Sequence, residues 1–121
     1  MVEQKEVHAF FDQVAQGDVW VKRVSQIPTN FKLVAPVDNK YIVAHSESGH
    51  HHVINVAPGV EYYQDDTDEM DSYLQVIDEV EVRLEHLKSV GGHATIALSP
   101  GIFRLRRGRE RTPTGWVRVR D

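Results

Sequence analysis

The chain has no cysteine. That absence removes disulfide staples, thiolate metal sites and cysteine nucleophiles together, so any metal held here must use His, Asp and Glu side chains. No apolar run approaches the ~18 residues that would cross a bilayer. The opening Met1-Val2-Glu3-Gln4-Lys5-Glu6 has no apolar signal core. Both absences predict a soluble, cytoplasmic protein with no membrane partner. Phosphate-binding glycine loops, a nucleophile elbow and a dinucleotide fingerprint are also missing, which leaves nucleotide hydrolysis and hydride chemistry without support. There is no internal repeat or low-complexity linker.

What is present fits one domain spanning 1–121. A chain of 121 residues, 40% hydrophobic and 26% charged, can bury a single core. Its net charge of −4 conceals an asymmetry. Between Glu61 and Glu85 ten acids face the single base Arg83, whereas the last eighteen residues carry seven arginines against Glu110 and Asp121. Either the two segments neighbour each other in the fold and neutralise each other, or the basic end serves a protein or nucleic-acid partner. Arg104 and Arg106 share one face of a strand, and Trp116 with Arg118 and Arg120 extends the pattern. Arg104, Arg106, Arg109 and Trp116 are therefore the candidate partner-binding residues, through guanidinium and indole groups. The acidic stretch Asp65 to Asp71 lacks the glycine and terminal glutamate of a calcium loop and reads as a solvated loop.

Hydrophobic spacing predicts an α+β fold, mostly antiparallel β in a small barrel or sandwich, with an amphipathic N-terminal helix over 1–16 and a β core over 17–121. Val7, Phe10, Phe11 and Val14 recur at helical intervals, with Gly17 placed to end the element. Phe10 and Phe11 would need cover from the domain or from a second copy in a homodimer. Strands are expected at Val19–Val24, Phe31–Val34, Tyr41–Ala44, from His52 and at Val60–Tyr63. Residues 70–88 fit a helical stripe or alternating strands, and the β-formers Tyr73, Val76 and Ile77 favour strands. His93–Leu98, a Ser99-Pro100-Gly101 turn and Ile102–Arg106 read as a hairpin.

The densest chemistry is His45-Ser-Glu47-Ser-Gly49-His50-His51-His52, four of seven histidines within eight residues. In an extended chain His50 and His52 project to one side and His51 to the other. Two histidines on one strand, a third from a neighbouring strand and a carboxylate make a nitrogen and oxygen ligand set suited to zinc, iron or nickel. His50, His52 and His93, with Glu47 or His45, form the candidate divalent-metal site. Such an ion would lower the pKa of a bound water. Metal-free acid–base cleavage of RNA by paired imidazoles and an arginine is a second reading, and a polar turn packed against Tyr41 and Trp20 is a third. His8 and His86 read as surface residues.

Gln16-Gly17-Asp18-Val19, the segment Ile42 to Val53 and the ending from His93 to Val119 together resemble a group of small uncharacterised bacterial and phage proteins. The group has a Gly-Asp-Val strand, a Gly-His-x-His turn, a late His and an Arg-Glu-rich tail. The resemblance implies a β-rich architecture and His50, His52 and His93 as the shared histidines. This chain departs from it at Gly108 and Arg111, where the pattern has Gln and Tyr.

Overall fold

The structure is a computed structural model describing residues 7–44, 51–65, 67–68, 70–77, 81–87 and 94–107, with backbone alone for 109–112 and 115–118. Among the described residues there is no helix, and the fold is all-β. The strands are β1 (Val7–His8), β2 (Gln13–Gln16), β3 (Val19–Val24), β4 (Lys32–Leu33), β5 (Lys40–Ala44), β6 (His52–Asn55) and β7 (Val60–Gln64). They continue as β8 (Asp71–Val76), β9 (Val82–His86), β10 (Thr95–Leu98), β11 (Gly101–Arg107), β12 (Arg109–Thr112) and β13 (Gly115–Arg118). One sheet runs β1-β10-β9-β6-β5, a second runs β2-β3-β11-β8-β7-β4, and β12 and β13 form a separate ribbon.

The two sheets enclose one core. Val19, Val21, Tyr62, Leu74, Phe103 and Leu105 of the six-stranded sheet cluster with Tyr41, Ile54, Leu84, Ile96 and Leu98 of the five-stranded sheet. Each such buried side chain contributes about 1.5–3 kcal/mol relative to exposure. The architecture is a sandwich of two open sheets and not a closed barrel.

The expected N-terminal helix over 1–16 is corrected by the structure, and with it the α+β class. Residues 1–6 lie outside the described residues; Val7 and His8 pair in parallel with Thr95 and Ile96, and Gln13–Gln16 pairs antiparallel with β3. The four apolar residues do not share a face. Phe10 meets Phe103 edge-on with ring centroids 5.7 Å apart, whereas Phe11 is 92% exposed. Gly17 ends no helix: it sits at φ 59° between the paired residues Gln16 and Val19. Positive φ at the first central position suits a two-residue hairpin turn. Strand alternation was masked here because β2 turns a glutamine inward: Gln16 is 1% exposed.

Asp71–Val76 and Val82–His86 are strands, as the β-formers Tyr73 and Val76 suggested. The expected hairpin of residues 93–98 with 102–106 is not formed. β10 ends in one sheet and β11 begins in the other, so Ser99-Pro100 carries the chain across the sandwich. From β3 the chain also passes over β11, β8 and β7 to reach β4, and Phe31 packs edge-on against Tyr73 at 4.7 Å on the way. β5 and β6 pair antiparallel, as the histidine-rich hairpin required, and a bulge near Val43 sets Ala44 opposite His52.

Candidate functional site

A polar layer closes one end of the sandwich, and the β2–β3 turn builds it. Gln16 reaches from the six-stranded sheet to the other, where its Nε2 donates to the Leu84 carbonyl at 2.9 Å and to the Ala94 carbonyl at 2.8 Å. Both amide hydrogens are used, so Oε1 must act as the acceptor for His52 Nδ1, 2.8 Å away. This fixes the imidazole: Nδ1 carries the hydrogen, and in the neutral ring Nε2 presents its lone pair. Asp18 Oδ1 lies 3.6 Å from that Nε2. A proton or a cation held at Nε2 would be attracted to that carboxylate.

His86 forms the neighbouring wall. It stands directly opposite His52 in the β6–β9 ladder, and the two rings stack with centroids 4.2 Å apart and planes 5° from parallel. A metal lies in the plane of a ligating imidazole, about 2.0–2.1 Å from nitrogen. Parallel stacked rings cannot both meet that condition for one ion. His86 and His52 therefore cannot both ligate one ion in this stacked geometry. Its burial, 4% exposed, corrects the expectation of a surface residue.

The six-stranded sheet supplies the rest of the layer. Gln16 and Arg107 both pair with Val19, which puts them on one interior row, and Arg107 is buried. Tyr62 is buried on the same inner face, and that burial pushes its phenol above the ordinary value. Hydrogen bonds with Ser72 and Gln64 and the Arg107 charge act in the opposite direction but do not prevail.

Of the residues proposed as metal ligands, His52 is described and buried. His45, Glu47, His50 and His93 lie outside the described residues. Their flanks are described: Ala44 opposes His52, the Leu87 N–H donates to the His51 carbonyl at 2.9 Å, and the Ala94 carbonyl accepts from Gln16. Both segments therefore depart from the same end of the sandwich. Among the described residues no three His, Asp or Glu side chains form a metal-holding group. Gln16, Asp18 and His86 escaped the sequence reading as site residues. The signal for His86 was present, because Val82, Leu84 and His86 continue one alternation inward.

The arginine candidates divide. Arg104 forms a bidentate pair with Asp71, Nε to Oδ1 at 2.9 Å and Nη2 to Oδ2 at 2.8 Å, and this pairing raises its pKa. Arg106 lies 3.5 Å from Asp71 and 3.8 Å from Asp68. At these two arginines the acidic middle does neutralise the basic end. Arg109 and Trp116 are placed by backbone register alone, on opposite strands of the β12–β13 ribbon. In the acidic loop, Asp65 accepts from Thr67 Oγ1 at 2.6 Å and Asn30 Nδ2 at 2.8 Å. The hydrogen bonds from Thr67 lower its pKa. Asp68 accepts from the Met70 N–H at 2.9 Å. These carboxylates shape the turn.

Fold and site together define an all-β sandwich with a buried amide–imidazole–carboxylate layer at one end. The sequence profile described as Domain of unknown function (DUF8820) matches residues 15–108, and the chain belongs to that family. The match begins within β2 and ends beyond β11, so it takes in every residue of the layer. No curated protein and no solved structure matches the chain.

Proposed function

We propose that the protein binds a divalent cation at this end of the sandwich, with His52 Nε2 and the Asp18 carboxylate as ligands. One observation carries the reading: Gln16 accepts the His52 Nδ1–H, so that in the neutral ring the Nε2 lone pair lies 3.6 Å from an Asp18 carboxylate oxygen. Metal-ligating histidines commonly have the other ring nitrogen held in this way, which sets tautomer and ring angle. Nitrogen and oxygen ligands of a cysteine-free chain suit zinc, iron or nickel. His50, His93, Glu47 and His45 are the further ligands of the proposal, carried by the two segments that leave the same end. The ion would bind where water is partly excluded, and a bound water would be acidified there.

The test is metal content of tag-free protein after dialysis against zinc, nickel or ferrous ion, followed by calorimetric titration. One ion per chain is expected, with affinity reduced more than about tenfold in Asp18→Asn and His52→Ala. His51→Ala should retain the parent's affinity. Absence of a stoichiometric ion from the parent would end the proposal.

A further inference from the structure

A second surface is visible in the backbone register of the C-terminal ribbon. Arg109 pairs with Arg118, Glu110 with Val117, Arg111 with Trp116 and Thr112 with Gly115. Directly paired residues share a face of an antiparallel ribbon, and so do residues two apart on one strand. Arg109, Arg111, Trp116 and Arg118 therefore fall on one face, and Glu110 falls on the other. Three guanidinium-bearing positions and one indole position stand together with no acid among them.

We infer that this ribbon face binds single-stranded nucleic acid, the arginines meeting successive phosphates and Trp116 stacking on a base. Charge selects the partner: a polyanion with regularly spaced charges matches a row of arginines. The lone aromatic position narrows it further, since stacking on exposed bases is the recurrent use of an aromatic within a basic track. Arg104 and Arg106 are held by Asp71 and Asp68 on β8 and the preceding loop, so the inference does not draw on them. The ribbon also lies beyond the family match, which stops at residue 108. It is thus an element that this chain carries in addition to the matched domain, and it is independent of the proposed cation site.

The experiment uses the full chain in chelator-containing buffer, so that the cation reading is not tested with it. Fluorescein-labelled single-stranded DNA and RNA of mixed sequence are titrated at low and at near-physiological salt, with the matching duplex and heparin as comparisons. Binding should weaken with salt at a log–log slope of about −2, the value for three phosphate contacts on a single strand. Intrinsic tryptophan fluorescence should be quenched, and the quench should vanish in Trp116→Phe while Trp20 remains. Combined Arg109→Gln, Arg111→Gln and Arg118→Gln should lower affinity by about tenfold or more. Trp116→Ala should lower it by a similar factor. If the triple variant loses its thermal transition, Trp116→Ala and the parent's salt slope decide alone. No binding at low salt, unchanged affinity in the variants, stronger binding to the duplex, or equal binding to heparin without a quench would each overturn the inference.

Discussion

His52 and His86 oppose each other across β6 and β9, and their imidazoles stack 4.2 Å apart beneath the Gln16 amide that reaches in from the other sheet. The stack holds the ring plane and the amide holds the tautomer. A buried, fully used amide of this kind is costly to remove, because each partner it leaves behind has already lost its water.

Replacing Gln16 should therefore be among the most damaging polar substitutions in the chain. Gln16→Leu keeps the volume but leaves the buried His52 Nδ1–H without its acceptor and removes the donor to the Leu84 and Ala94 carbonyls. At about 1–3 kcal/mol for the unpaired buried N–H and about 1 kcal/mol for each further hydrogen bond lost, a loss on the order of 3 kcal/mol is expected. Urea denaturation with an unchanged m-value checks it, and the exposed Gln13→Ala supplies the comparison.

The Arg104–Asp71 pair should behave as a partly sheltered ion pair. Side-chain exposures of 34% and 9% leave it less open to salt than a surface pair. Asp71→Asn removes the charge and one acceptor, and the expected cost is about 1–2 kcal/mol. Most of that cost should persist in high salt. Arg106→Gln should cost less, and its effect should fade with salt, because its contacts are long and its side chain is 38% exposed. Thermal melts of both variants across a salt series separate the two cases.

Much of this organisation was legible in the chain before the structure. Strands at Val19–Val24, Tyr41–Ala44 and Val60–Tyr63 showed themselves through runs of β-formers, and the pairing of acidic middle with basic end through charge. The N terminus misled for a physical reason. Val7, Phe10, Phe11 and Val14 obey a helical interval, yet a two-residue edge strand, a core contact, an exposed bend and a second strand satisfy them separately. Of the candidate site, the histidine-rich segment pointed to the buried His52, whereas His45, Glu47, His50 and His93 lie outside the described residues. The side chains around His52 include Gln16 and Asp18, and a glutamine turned into a core gives no periodic signal. Sheet membership was also hidden, since β10 and β11 look like a hairpin until the crossing at Ser99-Pro100 separates them.

Alkaline pH should unfold the protein through Tyr62. Burial raises its pKa above the ordinary 10.0. Below that value both folded and unfolded chains hold the proton, and stability is complete. As pH rises further, the unfolded chain ionises first, so stability falls until the folded value is passed. Tyr62→Phe should flatten this alkaline decline while costing about 1 kcal/mol at neutral pH for the lost hydroxyl contacts. Tyr63→Phe, at a half-exposed position, should flatten it less. Denaturation midpoints across alkaline pH, read beside spectrophotometric tyrosinate titration, measure the effect. An unchanged alkaline limb in Tyr62→Phe would show that another group governs it.

The crossing between the sheets should depend on Arg23 and Gly101 together. Arg23 Nη1 donates to the Pro100 carbonyl at 2.9 Å, Nη2 to Ser99 Oγ at 2.9 Å and Nε to the Phe11 carbonyl at 3.2 Å, while the guanidinium lies 4.7 Å from the Phe103 ring centroid. Gly101 has φ +146°, and a Cβ there would run into Arg23 Nη1. Gly101→Ala thus meets two penalties, the backbone conformation and the collision, for an expected loss of about 1–3 kcal/mol. Arg23→Ala removes the collision but also the three hydrogen bonds. In that background Gly101→Ala should cost less than alone, by at least about 0.5 kcal/mol. A double-mutant cycle in urea measures this coupling. Strict additivity would mean that the backbone angle alone requires glycine and that the guanidinium yields freely.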